Sequence, residues 1–279
     1  VVPDDSPSVF AGSEPLARLE NKPGVQVEVY NTPPADEDDL VQRIQDAHSV
    51  LNVRGYCKFP ASVLRRAPKL KHLAVWGTGV DHIDLACAQE LGIVVSNTPD
   101  TATEAVAEHG LALMLALARK IPELDRQTRE GQWTRGFLIQ LAGKTLGIIG
   151  TGVIGCRMAQ LGKGIGMKVL AWTFHPDPAK AERFGFTYAS LDEVLSQSDV
   201  ISLHLRSSSQ TRHFLNTERL QKVKPGALLI NTGRGDLVDE PALIAALQEG
   251  RLAGAGLDVF EKEPLPADHP LTRLPNVVL

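Results

Sequence analysis

Residues 146–155 read Leu146-Gly147-Ile148-Ile149-Gly150-Thr151-Gly152-Val153-Ile154-Gly155, a buried-type run that breaks into closely spaced glycines. Such a run predicts a short strand turning sharply into a helix. In the pattern Gly150-x-Gly152-x-x-Gly155, the first glycine permits the tight turn and the second lets backbone approach a pyrophosphate. The third lets the helix pack close to the strand. Val153 and Ile154 open that helix, whose unpaired N–H groups and positive dipole end suit phosphate oxygens. Glycine-rich turns are common, so the context decides. A helix-like stretch, Cys156-Arg157-Met158-Ala159-Gln160-Leu161, comes next, and a second strand, Lys168-Val169-Leu170-Ala171-Trp172, follows it. The whole reads as a βαβ dinucleotide-binding unit.

The rest of the chain has the same grammar. After that unit, Ser190-x-x-Glu193 is a capping box opening a helix. Runs at 200–205, 226–231, 254–260 and 277–279 read as strands, with a helix over 241–249. Upstream, residues 25–30 alternate with period two as a half-buried strand does. Residues 36–48 form a helix with Leu40, Val41 and Ile44 on one face, and 50–53, 70–76 and 92–96 are further strands. A short helix covers 61–67. Strands alternating with helices imply parallel sheets, so the chain is expected to be α/β with two doubly wound domains, 1–96 and 97–279. Residues 101–120 form one long helix that is apolar nearly all round, and 123–137 a polar helix and loop.

Composition narrows the function. The 279 residues suffice for two cores. A net charge of −4 without a basic stripe argues against a nucleic-acid binder. Cys57, Cys87 and Cys156 are odd in number and lack metal-ligand spacing, so no metal site or disulfide is expected. A reducing, cytoplasmic setting follows. The longest apolar run, 110–118, is too short for a membrane span, and no signal peptide is visible.

In open α/β sheets, ligands bind outside the carboxyl ends of the strands. Those ends carry Arg54, Thr78, Gly79, His204, Thr232, Arg234 and Asp258, with Glu261 and Glu263 just beyond. Arg234, in a rigid Thr-Gly-Arg-Gly turn after a buried strand, is placed to clamp a carboxylate through two parallel hydrogen bonds.

Three spaced motifs then carry a resemblance. The glycine loop, Asn231-Thr-Gly-Arg-Gly235 and Gly256-Leu-Asp-Val-Phe-Glu-Lys-Glu-Pro264 resemble the D-isomer-specific 2-hydroxyacid dehydrogenases. Gly77-Thr-Gly-Val-Asp-His-Ile-Asp84 resembles that family's substrate-domain signature. The family includes phosphoglycerate, glyoxylate/hydroxypyruvate and D-lactate dehydrogenases. The resemblance implies a flavodoxin-like substrate domain over 1–96, a Rossmann NAD(P)-binding domain over 97–279, and hydride transfer between NAD(P)H and a small 2-oxo or 2-hydroxy acid. It implies that Arg234 binds the substrate carboxylate and 2-oxo oxygen. Glu263, directly before the proline, pairs with a catalytic histidine and raises its pKa; Glu261 is its nearest rival. Cofactor contacts fall to Gly150, Gly152, Val153, Ile154, Gly155, Thr173, His204, Thr232 and Asp258, the last holding the nicotinamide carboxamide. Substrate contacts fall to Arg54, Gly55, Thr78 and Gly79. A homodimer is implied through the long helix and the Arg-rich segment after it.

The sequence departs from the family pattern twice. The catalytic histidine normally follows the 276–279 strand within a few residues, so the protein is expected to continue past Leu279 to reach it. Among the histidines present, His109 reads as a packed or hydrogen-bonded core residue and His269 as a solvated loop residue. The acid expected to bind the ribose 2′-OH is replaced by Thr173, which leaves both NAD(H) and NADP(H) open. Two other readings share the scaffold: a dinucleotide-sensing protein resembling the C-terminal-binding corepressors, and a phosphite-type dehydrogenase. An exposed apolar groove on residues 1–96 together with negligible turnover would favour the former.

Overall fold

Short apolar runs bounded by turn residues become parallel strands in both halves of the chain, as buried α/β strands do. The structure, a computed structural model, describes residues 1–279 and divides into two compact units, Val1–Ala102 and Thr103–Leu279.

In the first unit, β1 (Ser49–Asn52), β2 (His72–Val75) and β3 (Val94–Ser96) pair in parallel in the order β1-β2-β3. The chain's first residues extend the sheet beyond β1. Leu51 N–H donates to the Val1 carbonyl, and Val2 bridges Val29 in parallel. The five extended stretches therefore lie in the sequence order 2-1-3-4-5, a doubly wound arrangement. Two expectations need correcting here. The strand at 25–30 shrinks to a bridge at Val29, because the stretch leaves a turn (Val25 N–H to Lys22 carbonyl) and has a neighbour on one side only. The helix at 61–67 stops at Leu64. Asp36 caps helix Glu37–Ile44, which buries the expected Leu40, Val41 and Ile44 against Val50, Phe59, Leu64 and Leu73.

Asp5 organises the loop that follows the first extended stretch. It is fully buried, and its carboxylate accepts from the N–H groups of Val9, Phe10 and Ala11 and from the Ser8 hydroxyl. The loop so held sets the Phe10 ring edge-on to Trp76, 5.8 Å between centroids, at the carboxyl end of β2.

The second unit holds β4 (Thr145–Ile149), β5 (Lys168–Trp172), β6 (Thr187–Tyr188), β7 (Val200–Leu203), β8 (Ala227–Asn231), β9 (Leu252–Leu257) and β10 (Val277–Val278). All pair in parallel in the order β10-β9-β8-β7-β4-β5-β6. The winding reverses between β4 and β7, which opens the crevice where such sheets take ligands. Every residue of β7 and β8 is buried. Helix Val153–Gly164 leads back from β4 to β5, and Ser190 and Glu193 form the anticipated capping box. The β9 strand lies two residues earlier than its expected start, so Asp258 is the first residue beyond it. Helix Thr103–Ala118 packs on helix Val153–Gly164, β8 and β9. It buries one stripe, Ala107, Gly110, Leu113, Met114 and Ala118, rather than its whole circumference. No helix is long and apolar enough to cross a membrane.

Asp5 supplies a test of the first unit. Burial alone would raise its pKa, but the N–H groups of Val9 and Ala11, with Ser8 and Phe10, hold it down at about 2. The carboxylate's stabilisation is thus present above about pH 4 and lost as pH falls toward 2. Asp5→Asn is expected to lose about 2–3 kcal/mol at pH 7, measured by urea unfolding of the first unit's transition. Its stability relative to the parent should converge only as pH falls below about 2; an unchanged midpoint at pH 7 would contradict this role for Asp5.

Candidate active site

The glycine turn after β4 is shaped by backbone crowding. Gly150 has φ 101, and a Cβ there would lie 2.6 Å from the His204 carbonyl oxygen. A Cβ on Gly155 would lie 2.0 Å from the carbonyl oxygen of Gly150. Gly152 differs: it is the N-cap of helix Val153–Gly164, and nothing beyond its own neighbours in the chain lies within 4 Å of where its side chain would be. That open space stands over the first amides of a twelve-residue helix, beside an exposed Val153 and a half-buried Ile154. A phosphate group fits there, and a side chain on residue 152 would fill the same space.

His204, which follows β7, borders this turn through its backbone. Its Nε2 sits 2.9 Å from the Ser202 hydroxyl, and burial pushes the imidazole down to about 4. It is therefore neutral at physiological pH and adds shape rather than charge. Thr173 follows β5 beside an aromatic group in which Trp172 contacts Phe174 and Phe214, with centroids 4.9 and 5.1 Å away.

A second cluster forms beyond β8 and β9. Asn231 ties the turn after β8: its amide donates to the Arg234 carbonyl at 2.9 Å, and its side-chain oxygen accepts from Gly233 N–H at 3.0 Å. Gly235 then presses on the segment that carries the acids. A Cβ on Gly235 would lie 1.9 Å from the Phe260 carbonyl carbon. Glu263 turns one carboxylate oxygen back to the Phe260 N–H at 3.0 Å. Glu261 instead meets His213, with Nε2 and Oε1 2.6 Å apart. Glu240 braces the same segment, one oxygen 2.9 Å from His269 Nε2 and the other accepting from Glu261 N–H.

Three features escaped the sequence reading. His109 is not a core residue: its side chain is half exposed and Nε2 lies 3.4 Å from Asp258. His269 is not solvated, since its side chain is 18% exposed and pairs with Glu240. His213 and Glu240 carried no motif at all; only their closeness to the acid segment in space identifies them. Thr232, expected near the cofactor, has a buried hydroxyl oxygen without a hydrogen-bond partner. Helix residue Gly110 packs close to that oxygen, 3.8 Å from where its Cβ would be.

The first unit carries its own set at its strand ends. The Arg54 guanidinium donates to the Pro7 carbonyl, and Gly55 is exposed. The Thr78 hydroxyl reaches the Thr98 carbonyl at 3.4 Å, and Asn97 donates to the Thr78 carbonyl at 2.8 Å. Thr78 is exposed and Gly79 half buried. An open groove of about 450 Å³ lies on the same unit, lined by Phe10, Leu19, Leu51 and Trp76, with Arg18 and Lys22 at its side.

Residues 111–279 match the family described as D-isomer specific 2-hydroxyacid dehydrogenase, NAD binding domain. The chain is 43% identical to a glyoxylate reductase of Aeropyrum pernix over 90% of its own length and 76% of that protein's. Among solved structures, TT0316 protein from Thermus thermophilus superposes with a TM-score of 0.87 at 40% identity, covering 95% of this chain and 85% of that one. D-lactate dehydrogenase from Aquifex aeolicus, solved with NAD and lactic acid, gives 0.85 at 32% identity, over 99% and 86% of the two chains. The protein belongs to the D-isomer-specific 2-hydroxyacid dehydrogenase family. It is an NAD(P)-linked oxidoreductase, and the open space over Gly152 and the unpartnered Thr232 hydroxyl fit a dinucleotide.

The glycines should separate fold from binding. Gly152→Ala is expected to keep the parent melting temperature within about 2 °C while losing NAD(P)H binding by fluorescence titration. Gly155→Ala should lower the melting temperature sharply, because its Cβ meets a backbone oxygen that cannot swing away. Retained cofactor binding in the first variant would place the pyrophosphate elsewhere.

Proposed function

We propose that the protein interconverts a small 2-oxo acid and the corresponding D-2-hydroxy acid. NAD(H) or NADP(H), when bound, supplies or accepts the hydride. Arg234 pairs with the substrate carboxylate and polarises the 2-oxo oxygen, a task suited to a planar guanidinium fork. Asp258 accepts from the nicotinamide carboxamide. Glu263 supports the histidine that the family pattern places beyond Leu279, keeping it charged enough to protonate the carbonyl oxygen. In the first unit Thr78, Gly79, Arg54 and Gly55 contact the substrate carboxylate.

One observation supports this reading most: backbone of Gly235 against backbone of Phe260, with no room for a side chain. It holds the Arg234 turn and the Glu263 segment in fixed register, which catalysis by orientation requires. The His213 pairing also engages Glu261 and leaves Glu263 as the acid available to a proton donor. Exposed Trp133 and Phe137, in the segment that follows the long helix in sequence, support a homodimer, and three buried free cysteines support a reducing, cytoplasmic setting.

Glyoxylate, hydroxypyruvate and pyruvate, assayed with NADH and NADPH, test the proposal, with phosphite and NAD⁺ as the contrasting pair. At least one 2-oxo acid should turn over. Arg234→Lys should lower kcat/KM by about a hundredfold or more, as expected for losing a bidentate, transition-state contact. Glu263→Gln should lower kcat by about 10²–10⁴-fold. Wild-type rates in Arg234→Lys, or turnover of phosphite alone, would overturn it.

A further inference from the structure

We infer that the end of β5 is built to accept a 2′-phosphorylated dinucleotide, with Lys180 as the cation that reads the phosphate. This rests on the dinucleotide site described above and goes on to name which dinucleotide it takes. In sites for unphosphorylated cofactor, a carboxylate about 20 residues past the glycine loop accepts from the ribose 2′-OH and repels a phosphate. That position is Thr173, half buried and free of charge, and its hydroxyl can donate to a phosphate oxygen.

A positive charge stands at the glycine loop. Lys180 lies in the first turn of helix Pro178–Phe184, and its Nζ reaches to 3.5 Å from the carbonyl oxygen of Thr151, inside the glycine loop. The ends of β4 and β5 adjoin there, since Gly150 N–H donates to the Trp172 carbonyl at 2.8 Å. The ammonium thus sits at the glycine loop, which adjoins the end of β5. One long contact to a neutral carbonyl leaves its remaining donors for an anion.

The surroundings hold this arrangement in place. The Tyr188 hydroxyl lies 3.0 Å from the Thr151 hydroxyl and accepts from Asp177 N–H at 3.2 Å, which links the glycine loop to the start of Lys180's helix. Asp177 is the nearest carboxylate in sequence after Thr173. It is engaged as that helix's N-cap, accepting from Ala179 N–H at 3.0 Å. The exposed Arg183 is a second cation on the same helix, beside the exposed Glu182. With no carboxylate at position 173, the Lys180 ammonium at the glycine loop is the group that favours a dianion over a hydroxyl.

Heats of binding to the full chain test this with fragments that differ only in the phosphate: 2′,5′-ADP against 5′-AMP, and NADP⁺ against NAD⁺. The wild type should prefer the 2′-phosphorylated member of each pair by about tenfold or more, with the preference shrinking as salt rises. Lys180→Met should bring that ratio down about tenfold and leave 5′-AMP and NAD⁺ affinity within about twofold. Thr173→Asp should invert the preference. A wild type that prefers NAD⁺ and 5′-AMP, or a Lys180→Met variant with an unchanged ratio, would overturn the inference while leaving the dinucleotide site intact. Binding of neither dinucleotide would overturn both.

Discussion

The carbonyl oxygen of Gly150 has no room for even a methyl group on Gly155, 2.0 Å being the distance such a Cβ would have. That backbone-on-backbone contact fixes how helix Val153–Gly164 leaves β4. The helix axis then runs close along the sheet, and its first amides end in open space over Gly152. The same turn sits against the His204 carbonyl at the end of β7, where the sheet reverses its winding. The dinucleotide site we propose rests on these few contacts and on the dipole of one helix, without any charged side chain in the loop itself.

A second crowded contact governs the chemical side. Gly235 against Phe260 brings the Arg234 turn up to the segment holding Asp258, Glu261 and Glu263. Around it the protein sorts its carboxylates by partner. Glu240 bridges His269 and the Glu261 amide, Glu261 pairs with His213, and Asp258 with His109. Glu263 has only a backbone amide for one of its oxygens. An acid of this kind can serve a proton donor, whereas an acid already paired serves position. Surface pairs of similar distance elsewhere, such as Arg65 with Glu90, contribute little because both partners stay in water.

Much of this was legible in the chain, for reasons that differ by element. The central strands of the second unit, β4, β7, β8 and β9, were clear because they are almost wholly buried and read as apolar runs, whereas the two-residue edge strand β6 was not read at all. The glycine loop was clear because its spacing answers to backbone sterics. The edge of the first sheet was not: residues 25–30 alternate well, yet only Val29 bridges, and Val1–Val2 joins the sheet with no pattern of its own. Helix Thr103–Ala118 looked buried all round because composition reports hydrophobicity and not which side has a neighbour. Arg234 and Glu263 stood out through motifs. His213, Glu240 and His269 did not, since their pairing with acids 21 to 48 positions away is a product of topology. Lys180 was missed for a related reason: its meaning comes from the Thr151 carbonyl it reaches, not from its own neighbours in sequence.

The most direct test of the account is a crystal structure of the full-length protein with NADPH and oxamate, an unreactive analogue of a 2-oxo acid. Pyrophosphate density is expected over Gly152 at the start of helix Val153–Gly164, with the oxamate carboxylate forked by Arg234. A dinucleotide bound away from that helix, or oxamate held without Arg234, would contradict it.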